Sequence, residues 1–209
     1  MRVPSVSSNP PKSMSRREPQ QDRATRRLER FLEVAEDLFA EVGFEAATMT
    51  AVAERSGSSI GALYNYFPDK TALAKALLEK YRTKILALWT PLLERIGELS
   101  HRQFAEQMVE RLIDVVTAHP AYLQLSTSPI KFPGDPAARQ SLRSTIADAL
   151  RRKAPALSKE DAMLCANVLV QMIKGLKTLY TEAAPKDQPR VVAEFQQLLA
   201  MYLKNISAR

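Results

Sequence analysis

The densest set of groups suited to a polyanion lies between Thr48 and Lys70, in TMTAVAERSGSSIGALYNYFPDK. Thr48, Ser58, Ser59, Tyr64 and Tyr66 offer hydroxyls, Asn65 an amide and Lys70 an ammonium. Hydroxyls, ammonium groups and the N–H groups at helix starts suit phosphate oxygens, and an amide can pair bidentately with adenine. Thr48 is a good N-cap for a short helix of about 49–56 that turns Val52 and Ala53 inward. Ser56-Gly57-Ser58 then makes a tight polar break, and Ser59 can cap a second helix of about 60–66 with Leu63 and Phe67 as its apolar members. Two short helices joined by a glycine-containing turn have helix-turn-helix spacing, in which the second helix enters the major groove N-terminus first and the first braces the backbone. Ser59, Ile60, Ala62, Tyr64 and Asn65 fall on or near the leading face, with Thr48, Tyr66 and Lys70 at helix ends. A helical hairpin with no DNA role fits the same spacing.

Other chemistries find little footing. His101 and His119 are the only histidines and have no acidic or cysteine partner at ligand spacing, so no metal site is expected. The single cysteine, Cys165, excludes an internal disulfide and a thiolate-based zinc site, and points to the reducing cytoplasm. No Ser-His-Asp order, glycine-rich phosphate loop or paired carboxylates stand out, and Gly57 with Gly61 makes no dinucleotide fingerprint. Neither an enzyme nor a cofactor is expected.

The elements that must hold this window are helical. Glycine is scarce, and no run alternates with period two for long, which argues an all-α chain. Leu28, Phe31, Leu32, Ala35, Leu38, Phe39 and Val42 recur at spacings of three and four, predicting a first helix of about 24–42 that Gly43 ends. Asp69 can cap a long helix from Lys70 to about Ile96, with Pro91 able to kink it and Gly97 ending it. Further helices are predicted over about 101–118, from Pro120 to about 126, and from the Asp135-Pro136 cap pair to about 153. A proline-rich loop of about 127–135 precedes the last of these and could act as a lid. Ser158-Lys159-Glu160-Asp161 reads as a capping box for a helix of about 159–183, and Pro189 opens a final one to about 206. That last helix carries one apolar stripe. The helix before it is apolar nearly all round and should be buried on every side, a partner subunit supplying one face.

Composition sets the outer limits. The 209 residues, 45% hydrophobic and 25% charged, match an ordinary globular protein of one or two domains. Residues 1–22 hold four prolines and five serines without an apolar core, so they read as a disordered basic arm and not a signal peptide. The most apolar stretch, from Ala162 to Ile173, is interrupted by Asn167 and Gln171 and is too short for a membrane span of about 20 residues. Of the net charge of +7, residues 1–30 carry +5. A basic arm on a nearly neutral body fits a polyanion partner; a merely solvated tail has the same composition.

The window and the helix before it, FLEVAEDLFAEVGFEAATM followed by AVAERSGSSIGALYNYFPDKTAL, resemble the TetR family of bacterial transcriptional regulators. Gly43, Thr48, Ala53, Gly57, Ser59, Gly61, Leu63, Tyr64, Tyr66, Phe67, Lys70 and Leu73 fall where that family's pattern places them, over about a quarter of the chain. The resemblance implies an N-terminal three-helix DNA-binding domain, here residues 23–69. A larger helical domain for ligand binding and dimerisation follows, residues 70–209, giving about nine helices in all. It implies phosphate contacts from Thr48, Tyr64, Tyr66 and Lys70. Ser58, Ser59 and Gly61 would approach the DNA backbone, and Ile60, Ala62 and Asn65 would face bases. Two departures stand out. Ser58 replaces the usual apolar residue, and the recognition helix has no Arg or Lys, which removes the commonest guanine contact and shifts weight to Asn65, methyl contacts and DNA shape. Arg23, Arg26, Arg27 and Arg30 could add phosphate or minor-groove contacts.

Family members usually dimerise through their last two long helices and often release DNA when a small molecule binds. Trp89, Phe104, Met108, Leu112, Tyr122, Phe132 and Met172 could line such a cavity, with Asn167 or Gln171 as polar anchors; ordinary core packing would use the same residue types. The expectation is therefore a homodimeric, cytoplasmic regulator of double-stranded DNA. It would be a repressor released from a palindromic operator by a small, largely apolar effector. The alternative is a DNA-binding protein without an effector whose C-terminal domain docks a protein partner.

Overall fold

The computed structural model describes residues 18–128, 132 and 136–208, and among these it contains nine α-helices and no strand. They are α1 (Glu18–Ala46), α2 (Met49–Arg55), α3 (Ile60–Tyr64), α4 (Lys70–Glu94), α5 (His101–Ala118), α6 (Pro120–Thr127), α7 (Pro136–Lys153), α8 (Lys159–Glu182) and α9 (Gln188–Ser207).

Polar caps set most of the starts. Thr48, Ser59, Asp69, Ser100 and Ser158 each accept a backbone N–H three residues on, satisfying a donor that the first helical turn leaves open. Gly43 interrupts α1 with φ 79°, a left-handed backbone that glycine adopts without a Cβ clash. The N-terminus of α1 differs from expectation: the helix begins at Glu18, so residues 18–22 continue it instead of belonging to an arm. Residues 1–17 lie outside the described residues, as does most of the expected lid and the Asp135 cap.

Helices α1 to α3 form a small three-helix unit, and α4 packs on α1 and carries the chain into the larger domain. There α7 lies along α8, and α9 lies along both α5 and α8. One apolar core runs through both parts. Phe31, Phe39 and Leu63 fill it near the short helices; Phe104, Met108, Leu112, Ile146 and Leu150 fill it further on. Helix α8 has 24 residues and a mean hydropathy of 1.2 in its most apolar window, long and apolar enough to cross a membrane by those measures alone. Here Ala162, Cys165, Ala166, Leu169 and Leu176 bury one side of it in the core, the behaviour of a core helix. Its opposite side is open in the single chain, where Leu164, Val168 and Leu179 are exposed, which leaves one face for the expected partner subunit.

Candidate DNA-binding face and effector cavity

The short helices are held by few contacts, and these decide which side chains face out. Leu63 is fully buried and anchors α3. With about 100° between successive residues, Ile60, Gly61, Tyr64 and Asn65 then share one outward face. All four are exposed, Ile60 at 39% and Tyr64 at 50%. Ala62 is half-buried and turned toward the flank of this face, and Asn65 stands just past the helix end as its C-cap. A Cβ on Gly61 would meet nothing within 4 Å, so packing inside the chain does not require glycine there. Gly57 is different: its φ of 68° forms the turn that lets Ser58 N–H reach back to Ala53 O at 3.0 Å, closing α2 and aiming α3.

The hydroxyls have local duties as well. Thr48 Oγ1 accepts from Ala51 N–H at 3.1 Å and Ser59 Oγ from Ala62 N–H at 3.2 Å, leaving each O–H free to donate outward. Ser58 is half-buried. Tyr66 packs edge-on to Phe31, ring centres 5.5 Å apart, and is half-buried. Lys70 is placed otherwise than a free phosphate ligand would be. Its Nζ donates to Glu45 O and Ala47 O, both at 2.8 Å, and stands 4.6 Å from the centre of the Phe44 ring. Two of its three N–H donors therefore strap the start of α4 to the end of α1, and one remains. Arg23, Arg26, Arg27 and Arg30 lie at i, i+3, i+4 and i+7 on α1, one exposed stripe of a helix, with Arg26 and Arg30 in solvated pairs to Asp22 and Glu33.

A cavity of about 560 Å³ opens among α4, α5, α6, α7 and α8. Of the residues expected to line it, Trp89, Met108, Leu112, Tyr122 and Phe132 do so. Phe104, Asn167, Gln171 and Met172 do not. Phe104 is a fully buried core residue of α5, and Met172 borders a small gap toward Leu199 and Phe195 of α9. Gln171 is exposed and Asn167 half-buried, on the side of α8 that carries Leu164 and Val168. A helix apolar on nearly every side gives no sign of which face its few polar residues occupy. Trp89 Nε1 donates to Met108 O at 3.1 Å, so the indole is satisfied within the wall.

Sequence reasoning missed the cavity's charged residues. Lys177 stands one turn beyond Ile173 and two beyond Val170 and Leu169 on the face of α8 that lines the space. A lysine in register with a buried stripe was the available signal. Its Nζ donates to Tyr122 Oη at 3.0 Å. Burial, helped by the nearby Lys174, pulls the Lys177 ammonium down to about 8, and burial pushes the Tyr122 phenol up to about 12.

Helix α6 ties the cavity to the small domain. His119, at its start, contacts Glu36 Oε1 of α1 through Nδ1 at 2.5 Å and Lys84 Nζ of α4 through Nε2 at 2.8 Å. Phe132, which lines the cavity, packs edge-on to Phe44 with ring centres 4.9 Å apart.

This arrangement has known counterparts. The family description "Bacterial regulatory proteins, tetR family" matches residues 31–77, and "Tetracyclin repressor-like, C-terminal domain" matches residues 100–203. The chain belongs to the TetR family of bacterial transcriptional regulators, and that family is one of regulators, not enzymes. Among curated relatives, the HTH-type transcriptional regulator UidR of Escherichia coli is 32% identical over 95 residues, 46% of this chain and 44% of UidR. The match thus spans less than half of UidR's length. The HTH-type transcriptional regulator BetI of Cronobacter sakazakii is 26% identical over 172 residues, 78% of this chain and 82% of BetI. A TetR-family transcriptional regulator from Streptomyces coelicolor has the same fold, with a TM-score of 0.66 and 23% identity over 86% of this chain and 99% of that one.

Proposed function

We propose that this chain is a homodimeric, cytoplasmic transcriptional repressor that leaves a near-palindromic operator in double-stranded DNA when a small molecule occupies the cavity. Each protomer would present Ile60, Gly61, Ala62, Tyr64 and Asn65 to a major groove. Thr48, Ser58, Ser59, Tyr66 and the spare N–H of Lys70 would sit against the flanking phosphates, with half-sites about 34–36 Å apart. The exposed apolar residues Leu164, Val168 and Leu179 on α8, with Leu198 and Met201 on α9, support pairing through those two helices.

The observation that carries the effector role is the shared wall. Helices α4 and α6 line the cavity and also pack on α1 of the small domain, so a guest there touches the helices that seat α1, which in turn holds α2 and through it α3. A regulator without an effector would more naturally have a filled core, and a cavity of about 560 Å³ lies in the usual range for small-molecule sites. The test is binding of the purified protein to DNA flanking its own gene, titrated with salt beside a scrambled duplex. A preference of ~10³ or more that weakens steeply with salt is expected. Equal, weak binding to both duplexes by a folded dimer would overturn local operator recognition.

A further inference from the structure

Lys177 is the one charged side chain among the described residues that is buried, at 9% exposure. Besides the hydrogen bond to Tyr122 Oη, its Nζ stands 4.7 Å from the centre of the same ring. Neither contact supplies a counter-charge, and no carboxylate pairs with Lys177 among the described residues. An ammonium taken out of water without a partner is strongly unfavourable. Although lowered to about 8, it still carries its proton at neutral pH.

The rest of the lining has the same sign. Lys75, Arg82, Arg139, Arg143 and Lys174 also border the cavity, and the one carboxylate among its described lining residues, Glu79, is paired with Arg82. Lys75, Arg139 and Lys174 are exposed, so they stand where the space meets solvent and would draw an anion toward it. Between these charges and Lys177 the walls are apolar, with Trp89, Leu112, Leu125 and Ile173. A neutral guest would cut Lys177 off from water without pairing it, and a cationic guest would be repelled.

We propose that the effector is an amphipathic monocarboxylate, its apolar body against these walls and its carboxylate on Lys177; this rests on the reading of the cavity as the effector site. Tyr122 Oη accepts from Lys177, so its own O–H is free to donate. The pair then offers one N–H and one O–H to the two carboxylate oxygens. A single negative charge matches the single buried ammonium, whereas a dianion would leave one charge uncompensated among apolar side chains.

The test uses the full chain and three probes of one length: decanoate, decan-1-ol and decylamine, titrated calorimetrically at neutral pH. Decanoate is expected to bind at least about tenfold more tightly than either of the others, the least that a charge-assisted hydrogen bond contributes. Lys177→Met should erase that preference while decanol binds as well or better. Lys177→Gln, which keeps a polar group beside Tyr122, should behave likewise if the methionine variant folds poorly. Decanol or decylamine binding as tightly as decanoate would overturn the monocarboxylate and leave the cavity as an effector site. A preference that survives both substitutions would overturn the role of Lys177. Binding of none of the three would overturn the inference and count against the effector reading with it.

Discussion

Replacing Lys70 by methionine tests whether its ammonium is a strap, a phosphate ligand or both. The side chain makes two 2.8 Å bonds to Glu45 O and Ala47 O at the end of α1, where carbonyls lack helical partners. Hydrogen bonds to charged groups contribute about 1.5–3 kcal/mol each when well shielded. Lys70 is only half-buried, and the bond to Glu45 is at an exposed site, so the two together should contribute about 1–2 kcal/mol. Methionine keeps much of the stem over Phe44 and removes only the charge. Melting should fall by about 2–8 °C, the shift that such a loss produces in a chain of this size. The second readout is the salt dependence of DNA binding. If the remaining N–H meets a phosphate in each protomer, the slope of log K against log salt should become shallower by about 1.8 per dimer. Lys70→Arg separates the roles, because it keeps the charge while its planar fork fits two carbonyls set for an ammonium poorly. That variant should melt low and keep the slope. A methionine variant that melts with the wild type would refute the strap, and an unchanged slope would remove Lys70 from the phosphate contacts.

Three further outcomes follow from the same geometry. Asn65→Ala should lose about 1–3 kcal/mol on the operator and relax preference at one base pair; equal losses on operator and random duplex in a gel-shift series would show that Asn65 does not read bases. Lys177 holds its proton more tightly in the unfolded chain, near 10.5, than in the native one, near 8, so stability should rise with pH between these values. From pH 7.5 to 9 the gain is about 1 kcal/mol, measurable by urea unfolding and absent in Lys177→Met. The buried phenols of Tyr81 and Tyr122, raised by burial, act in the opposite sense only nearer pH 10. Finally, Leu164 and Met201, each 61% exposed, sit on the faces proposed to pair. Leu164→Glu with Met201→Glu should give a folded monomer in sedimentation, and a dimer that persists would place the interface elsewhere.

Where the chain carries a local signal, its architecture was legible. The caps Thr48, Ser59, Asp69 and Ser158 mark helix starts because only a few side chains can satisfy the first-turn donors. The left-handed turn at Gly43 was legible for the matching reason at a helix end. Residues 18–23 hid their helix because their sequence carries no apolar stripe, and α1 begins at Glu18. The outward face of α3 could be read from one buried leucine and the helical period. What could not be read are relations between distant residues. Nothing near Lys70 in sequence shows that Glu45 and Ala47 aim carbonyls at it. The all-round apolar α8 likewise conceals that Asn167 and Gln171 lie away from the cavity while Lys177 lies in it.

How a guest could reach the DNA-binding face turns on what meets at His119. If Lys84 donates to Nε2, the ring proton sits on Nδ1 and donates to Glu36, so one imidazole joins α4, α6 and α1. The side chains of α4 and α6 that line the cavity are on the same helices, and Phe132 carries a second contact from the lining to Phe44, beside the Lys70 strap. A guest shifts the balance between two arrangements only by binding one better than the other. Moving α6 relative to α4 pulls His119 against two partners that belong to different helices, so the contact cannot follow both. In the proposed release, either Glu36 or Lys84 would let go, and α1 would change its seat on α4. Allosteric couplings usually amount to about 1–3 kcal/mol, which is the scale of one such partly buried charged contact. The linkage therefore needs only a short relay: the cavity-wall helices α4 and α6 seat α1, and α1 holds the α2–α3 pair.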